Sequence, residues 1–312
     1  MKQITIQKNE KSLLFFLQSN YPLLKTGTLN KFLRNNKIKV NGKKIPLDSK
    51  LVKGDILNLY IEDIYFEKPD KNNAFKFSGK NIDIIYEDDN LLVVNKPAGI
   101  RVIDDDWHNY DTLINRVKNY YYLNNSTISP SLCHRLDTGT QGLVLVAKNQ
   151  EFLEFMLDLF KEKRLSKDYI CVVKGTPKQK HSLQKAFLTK NAKQGYVTIS
   201  PNSKNNLSKP IQTEITLIES YNGYSLLQIG LITGRTHQIR AHLSYLNLPI
   251  LGDSRYGLND LNRRFKMKYQ ALCSFRIAFG KITDSRYSYL SNKKFECSDP
   301  WFVESFYNRE FK

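Results

Sequence analysis

The chain has 312 residues, of which 41% are hydrophobic and 12% aromatic, a composition typical of a globular protein and not of a disordered one. Its 48 lysines and arginines outnumber 30 acidic residues, and the resulting formal charge of +18 favours a polyanionic partner. No stretch approaches the roughly 20 apolar residues that a membrane helix needs, so we expect no membrane partner and a cytoplasmic protein.

The four cysteines show no C-x-x-C pairing and lie far apart in the sequence, at positions 133, 171, 273 and 297. We therefore expect reduced thiols that pack like small apolar residues. His237 and His242 are five positions apart, so they lack the i, i+4 spacing that places two metal ligands on one helix face. We accordingly predict no metal site.

Residues 1–66 predict a first domain made of two short helices and a few strands. In chain order, the apolar pattern predicts a helix around residues 13–17, a second helix around 29–33 after a break at Gly27, and strands at 38–40 and 55–61. The dipeptide Asn41-Gly42 follows the first strand and is typical of a tight hairpin turn.

This first domain also carries a cluster of positive charge, which we call the nine-cation surface. Nine basic residues and a single acidic one, Asp48, fall between positions 25 and 53. The nine are Lys25, Lys31, Arg34, Lys37, Lys39, Lys43, Lys44, Lys50 and Lys53. The cluster favours contacts with phosphates, and a solvated face without a ligand is the alternative. Two helices followed by a basic hairpin resemble the S4 RNA-binding module, and this resemblance implies RNA binding by the first seven of these residues.

Residues 67–80 are polar and predict a linker, after which residues 81–312 alternate short strands and helices in a second domain. The apolar stripe at residues 151–163 predicts a helix packed on the core. Residues 176–212 are rich in lysine and asparagine, and they fit either a flexible basic excursion over a ligand or a solvated loop.

Two charged segments about a hundred residues apart are candidates for chemistry. His134-Arg135-Leu136-Asp137 places an imidazole, a guanidinium and a carboxylate on a loop before the strand-like run at residues 143–147. Strands hold the ends of their loops rigidly, so a side chain there can be aimed at a substrate. Such a tetrapeptide alone is more often a solvated turn. The second segment, residues 233–243, has the sequence Thr-Gly-Arg-Thr-His-Gln-Ile-Arg-Ala-His-Leu. Its presence favours a functional site over a solvated turn for the first segment.

Together these segments resemble the RluA-type family of RNA pseudouridine synthases, whose patterns are H-R-L-D-x-x-T-S-G-L and L-x-T-G-R-T-H-Q-I-R-x-H. Three further segments match in order and spacing: residues 95–99, which include Lys96, residues 167–175 and residues 249–257. The resemblance implies an isomerase that needs no metal or other cofactor. It also implies an α+β fold with a mixed, largely antiparallel central sheet and peripheral helices, preceded by the small α/β S4-like domain.

The resemblance assigns a role to each matched residue. Asp137 would be the catalytic carboxylate, acting by attack at C1′ or by proton abstraction from the ribose, and Arg240 would pair with it. Burial disfavours a carboxylate's charge and a guanidinium favours it. A base that is stacked in RNA hides its C1′ from a protein side chain, so the target uridine must be extruded from the stack. Tyr169 would then stack on the uracil, Arg135 would fill the vacated stack, and Ile239 would form the wall behind.

Three further residues, His134, Lys96 and His237, would contact RNA phosphates or support the residues that do. The family's serine is replaced by Gln141, and residues 101–106 replace a V-H-P-like sequence, so we expect the contacts near that loop to differ from those of the family. The S4-like module, and segments at 186–188 and 213–214 that look like the RluC-type subgroup, imply large-subunit (23S-type) ribosomal RNA as the partner. We expect the protein to be a monomer.

Other activities remain as alternatives. A tRNA-directed pseudouridine synthase would share the same motifs. A non-catalytic RNA-binding or ribosome-assembly protein on this scaffold would not require Asp137, Tyr169 and Arg240 together. A glycoside or nucleoside hydrolase usually needs two carboxylates that flank the bond, and only Asp137 lies in the matched loops.

Overall fold

The computed structural model describes residues 1–67, 72–103, 110–191, 195–298 and 300–312. The chain forms two compact units, the first from Met1–Ser78 with Asp106–Tyr110, and the second from Gly79–Asp105 and Asp111–Lys312. Of the predicted linker, residues 68–71 lie outside the described part, and Ala74–Phe77 form a short 3-10 helix in the first unit. Residues 104–106 of the altered segment also lie outside the described part.

The first unit is a three-stranded antiparallel sheet with two helices. Its elements are β1 (Lys2–Thr5), α1 (Leu13–Asn20), α2 (Thr26–Arg34), β2 (Ile38–Val40) and β3 (Ile56–Leu59), with the strand order β1-β3-β2. The break predicted at Gly27 is wrong. Gly27 lies in the first turn of α2, whose first residue Thr26 follows an extended Lys25, and the chain turns before that point. Strand β1 was not predicted, because its residues are mostly polar and exposed.

The predicted turn after β2 is confirmed. Asn41 and Gly42 both have positive φ values, 50° and 75°. Val40 and Lys43 donate to each other's carbonyl oxygens at 2.8 and 2.9 Å. This geometry is that of a two-residue hairpin turn, which the Asn-Gly pair adopts at little steric cost.

The second unit is built on an eleven-stranded sheet, which confirms the predicted mixed, largely antiparallel α+β fold. Its strands are β4 (Ile84–Glu87), β5 (Leu91–Lys96), β6 (Ser131–Leu132), β7 (Gln141–Ala147), β8 (Leu165–Lys174), β9 (His181–Asn191), β10 (Tyr196–Ser200), β11 (Lys209–Tyr221), β12 (Tyr224–Leu231), β13 (Leu272–Phe279) and β14 (Lys294–Glu296). The order is β10-β9-β11-β12-β8-β13-β7-β5-β4, with β14 beside β13 and β6 beside β7. Strands β13 and β7 pair in parallel, and the other described pairs are antiparallel.

Five helices accompany this sheet in the described residues: α3 (Leu113–Leu123), α4 (Gln150–Lys161), α5 (Gln238–Tyr245), α6 (Asn259–Arg264) and α7 (Trp301–Tyr307). The apolar stripe of α4 packs on the core, as predicted. Alternate residues of β5 and β7 belong to two different apolar clusters, one on each face of the sheet. Because both faces are covered, these central strands are continuous apolar runs.

The lysine- and asparagine-rich stretch at residues 176–212 is largely sheet, so both interpretations from the sequence are wrong for most of it. Strand β9 pairs with β10 and with the beginning of β11 at the edge of the sheet. Alternate residues, among them Ala186, Leu188 and Val197, are buried against Ala241 of α5. Residues 192–194, between β9 and β10, lie outside the described part. The pairing holds a basic hairpin beside the helix that carries Arg240.

The four cysteines, which all lie in the described part of the chain, are thiols that form no disulfide, and three of them are buried, as their spacing predicts. Within the described residues, no helix is long and apolar enough to cross a membrane. No group of three or more potential His, Cys, Asp and Glu metal ligands occurs in the same part of the chain.

Candidate active site

Asp137 lies on the loop between β6 and β7, and contacts on both sides hold this loop in place. Thr138 accepts a backbone hydrogen bond from Gly99 at 2.8 Å. Two residues on, the Thr140 hydroxyl accepts one from the Gln270 amide at 2.7 Å. Gly142, the second residue of β7, has a φ of 121°, and a Cβ there would lie 2.3 Å from the Ser274 carbonyl oxygen of β13. The part of the loop that follows Asp137 is therefore anchored to the neighbouring strands and loops.

The Asp137 carboxylate is bound by Arg240, which enters the site from α5. Nη1 of Arg240 donates to Oδ2 of Asp137 at 2.7 Å. The other edge of the guanidinium binds Asp253, with Nε at 2.6 Å and Nη2 at 2.9 Å from its two carboxylate oxygens. The side chain of Asp137 is 27% exposed, that of Arg240 9% and that of Asp253 0%, so Asp137 is the member of the three that a substrate can reach.

Asp253 is fixed from several directions. Besides Arg240, its Oδ1 accepts the backbone N–H groups of Arg255 and Tyr256 at 2.9 and 3.0 Å. Burial alone would raise the pKa of Asp253, but the hydrogen bonds and charge of Arg240 and these backbone donors lower it on balance. Burial would likewise lower the pKa of Arg240, but Asp253 and Asp137 raise it on balance. Asp253 and Arg240 therefore form a charged pair at neutral pH, and Arg240 also donates a hydrogen bond to Asp137.

His237 is the residue that precedes α5, and its backbone has the left-handed φ of 53°. Its Nδ1 and the Tyr256 hydroxyl are 3.0 Å apart, and its Nε2 lies 3.8 Å from Oδ1 of Asp137. Burial, together with the positive charges of Arg240 and Arg255, lowers the pKa of His237 despite the opposing charge of Asp137. The imidazole is thus a polar neighbour of the Asp137 carboxylate.

A cavity of about 440 Å³ opens onto Asp137, and its lining residues all belong to the second unit. Tyr169 of β8 and Ile239 of α5 contribute to its wall, and both are buried. Burial raises the pKa of Tyr169, so its phenol is neutral. Arg135 lines the cavity with an exposed side chain, which forms no ion pair with a described residue. The cavity thus collects Asp137, Arg240, Tyr169, Arg135, Ile239 and His237 from the sequence prediction.

Lys96 does not reach this cavity, and the predicted contact with RNA is wrong for it. Its side chain is completely buried, and its ammonium donates to the carbonyl oxygens of Pro97, Ile100 and Thr138 at 2.9, 2.9 and 3.2 Å. Burial lowers the pKa of Lys96 to about 7, against the opposing charge of Asp137. With its three N–H donors occupied, Lys96 supports the Asp137 loop from behind.

The predicted contact with a phosphate is also wrong for His134. Its Nε2 accepts the backbone N–H of Leu145 at 3.1 Å, and its Nδ1 is buried. Burial lowers the pKa of His134 to about 3, so the imidazole carries no charge that a phosphate could bind. Its ring packs against Phe160 at 5.4 Å and holds the first segment onto β7 and α4.

Several residues of the site were missed by the sequence analysis. Asp253 and Tyr256 lie within the matched segment 249–257, and Lys167 lies beside Tyr169, so the motifs contained them without assigning a role. Lys190 of β9 and Arg235, before α5, also line the cavity. For Lys190 the sequence held no signal, because only the pairing of β9 at the sheet edge brings it there.

These groups can perform chemistry that needs one accessible carboxylate, held by a guanidinium, beside a neutral phenol in a basic cavity. A carboxylate in this setting can act as a nucleophile or as a base. The surrounding cations favour a substrate that carries phosphates. The geometry of the site thus suits a reaction on a polyanion at a single accessible carboxylate.

The chain belongs to the RNA pseudouridylate synthase family, whose model matches residues 90–245. This match confirms the resemblance to the RluA-type enzymes. The protein is therefore an RNA pseudouridine synthase, an isomerase that acts on RNA.

The chain is 35% identical to ribosomal large subunit pseudouridine synthase D of Borreliella burgdorferi over 271 residues, which cover 83% of this chain and 79% of that protein. It is 33% identical to ribosomal large subunit pseudouridine synthase C of Vibrio vulnificus over 256 residues, 80% of this chain and 76% of that protein. Among solved structures, human RNA Pseudouridylate Synthase Domain Containing 1 superposes with a TM-score of 0.56 and 25% identity, covering 75% of this chain and 86% of that one.

Proposed function

We propose that this protein converts specific uridines of large-subunit ribosomal RNA to pseudouridine, with Asp137 as the catalytic residue. The observation that carries the proposal is the Asp137 carboxylate, which faces the cavity while Arg240 binds it at 2.7 Å from behind. The names of the two bacterial relatives support ribosomal RNA as the substrate.

The reaction breaks the N1–C1′ bond of uridine, turns the base and joins its C5 to C1′. Over the whole reaction, C5 loses a proton and N1 gains one, so the RNA is isomerised without a co-reactant. Asp137 acts on the sugar, either by attack at C1′ or by removing a ribose proton. Both routes need an ionised carboxylate, and Arg240 stabilises that charge.

The target base must leave the RNA stack before Asp137 can reach its sugar, and extrusion costs a few kcal/mol. The ring of Tyr169, which lines the cavity, would receive the uracil, with Ile239 as the wall behind it. Arg135 is exposed at the cavity, and its planar guanidinium would fill the gap that the base leaves. These contacts with the extruded nucleotide offset part of the cost of extrusion.

The nine-cation surface of the first unit would bind RNA outside the target nucleotide. Seven of its cations are exposed and none forms an ion pair with a described residue. Lys37 and Lys39 instead lie over the rings of Phe32 and Tyr60, each at 5.8 Å. The S4-like arrangement thus leaves these charges free to track phosphates.

The test maps pseudouridines in total RNA from cells with the wild-type protein, a deletion, Asp137→Asn, or Asp158→Asn. Asp158 is a matched control because it is an exposed aspartate on α4, outside the cavity. We expect one or more large-subunit positions to lose pseudouridine in the deletion and in Asp137→Asn only.

Each other outcome contradicts a part of the proposal. A signal that disappears in the deletion but persists in Asp137→Asn would show that the catalytic assignment is wrong. A signal lost from tRNA instead would identify the tRNA-directed alternative. An RNA map that is the same in all four strains, with the protein bound to RNA, would identify a non-catalytic RNA-binding protein.

A further inference from the structure

Lys167 is a partly buried cation in the wall of the active-site cavity, and no described carboxylate neutralises it. It is the third residue of β8 and lines the cavity together with Asp137. Its Nζ lies 5.0 Å from the ring centroid of Phe160. The sequence places it two residues before Tyr169, where its side chain was given no role.

The surroundings of this ammonium are poor in acceptors. The face of Phe160 attracts a cation but offers no lone pair to its three N–H donors. The neighbouring His134 is neutral and already binds the Leu145 N–H. Burial lowers the pKa of Lys167, and no described anion raises it again. The free protein thus holds a partly desolvated cation, which an added anion would stabilise.

The position of Lys167 indicates which anion that is. A Cβ on Gly234 would lie 3.6 Å from Nζ of Lys167, so the ammonium lies against the glycine of the loop before α5. Arg135, Lys190 and Arg235 stand farther out as exposed cations of the same cavity. When a base enters this cavity with its sugar at Asp137, the adjoining phosphodiesters come near the cations that line the same cavity.

We infer that Lys167 binds a phosphodiester directly flanking the extruded uridine, as the inner member of a set of cations whose outer members contact neighbouring phosphates. This inference rests on the proposed function and deepens it. An exposed cation exchanges water for phosphate with little gain, whereas Lys167 has already lost part of its water. Its contact therefore contributes more than any single exposed lysine, and it locates the sugar against Asp137.

The experiment measures kcat/KM on a short RNA that spans a uridine mapped as above, at KCl concentrations between about 50 and 200 mM. The variants are Lys167→Met, Lys167→Arg and the control Lys281→Gln. Met keeps the apolar stem against Phe160, and Arg keeps the charge. Lys281 is an exposed lysine that does not line the cavity.

At the lowest salt, Lys167→Met should lower kcat/KM by about 10- to 100-fold, the usual effect of losing a charged hydrogen bond. Its log–log salt slope should be shallower by about 0.7, the value for one phosphate of a single strand. Lys167→Arg should keep the wild-type slope, and Lys281→Gln should behave as wild type. Melting temperatures check that each variant is folded, and Lys167→Gln replaces Lys167→Met if that variant is not.

Substrates with a neutral methylphosphonate on the 5′ or the 3′ side of the target identify the phosphate. At one of the two sides, the substitution should slow wild type but leave Lys167→Met unchanged, because that variant no longer binds the phosphate. Equal losses in both proteins at both positions, or a Lys167→Met enzyme with the wild-type salt slope, would overturn the inference. A wild-type enzyme that modifies no RNA would instead refute the proposed function.

Discussion

Arg240 donates to two carboxylates at once, and the two differ in what they can do. Asp253 is completely buried and takes one edge of the guanidinium with both oxygens. Asp137 takes the remaining Nη1 and keeps its second oxygen for the cavity. Asp253 thus fixes the direction of Arg240, and Asp137 is the carboxyl group that we propose to react.

Asp253→Asn should lower kcat by about 10- to 100-fold and leave the affinity for RNA unchanged. An asparagine presents one oxygen and an NH₂ group, so it loses a charged hydrogen bond worth about 1.5–3 kcal/mol and no longer holds the guanidinium edge. Single-turnover rates and equilibrium RNA binding separate the two effects.

The matched control for Asp253→Asn is Asp260→Asn. Asp260 pairs with Arg263, but this pair is exposed on the surface, where an ion pair contributes little. Asp260→Asn should therefore retain the wild-type rate. If the two variants have the same kcat, the assignment of Asp253 as a positioning residue is wrong.

For single residues, the sequence motifs predict which side chains belong to the site, but they do not predict which of these side chains are buried. The segments around Asp137, Tyr169 and Arg240 lie far apart in the chain, and the structure brings them together as expected. Lys96 and His134 belong to the same motifs, yet both face inward. A lysine is seldom fully buried, and only the carbonyl acceptors supplied by two loops make this burial tolerable.

Among the elements, apolar runs were predictable and polar strands were not. Strands β5 and β7 are covered on both faces, so their apolar character is visible in the sequence. Strands β9 and β10 lie at the sheet edge and alternate buried with exposed residues over a short, lysine-rich pattern. Their exposed positions dominate the composition, which is why the stretch resembles a loop. As a consequence Lys190 was missed, since it lines the cavity only because β9 is a strand.

The close approach of β7 to β13 predicts that Gly142→Ala destabilises the pairing of these two strands. The φ of 121° is unfavourable for alanine, and the new Cβ would lie 2.3 Å from a backbone oxygen of Ser274. The strands must separate locally, so we expect a loss of about 1–3 kcal/mol or more in the free energy of unfolding. Because Asp137 lies on the loop that ends here, activity should fall as well. Urea denaturation and single-turnover rates measure the two effects.

Gly223→Ala is the control for this substitution. Gly223 also has a positive φ, 74°, but a Cβ there meets only the end of the flexible Lys174 side chain at 3.0 Å. It should therefore show the cost of the backbone conformation without the clash between strands. Equal destabilisation by both substitutions would show that the approach of β7 to β13 does not constrain residue 142.

Two groups of basic residues, the cations that line the cavity and the nine-cation surface, are the ones to which we assign different roles in RNA binding. The cavity cations of the second unit would surround the single nucleotide that, in our proposal, enters the cavity. The nine-cation surface of the first unit has no acidic partner among the described residues, and it contains no carboxylate other than Asp48 within its sequence span. We therefore expect the cavity cations to determine the rate on bound RNA, and the nine-cation surface to determine how tightly RNA is bound.

Neutralising Lys31, Arg34 and Lys43 together as glutamines should test this division of labour. All three side chains are exposed, so the fold of the first unit should persist. RNA affinity should fall, and the slope of log K against log salt should become shallower by about 0.7–0.9 for each phosphate that the variant no longer binds. The rate at saturating RNA should not change. Filter binding and single-turnover assays over a range of KCl concentrations provide both quantities.

The control for bulk charge is a triple variant of the second unit, with Lys161, Lys281 and Lys294 changed to glutamine. These side chains are also exposed and do not line the cavity, and the substitution lowers the formal charge by three from +18, as the first variant does. If net charge alone attracted RNA, both variants would lose the same affinity, and the nine-cation surface would be an ordinary solvated face. If only the first variant weakens binding, position matters more than total charge, because direct phosphate contacts act over a few ångströms whereas the general field is screened beyond about 8–10 Å at physiological salt.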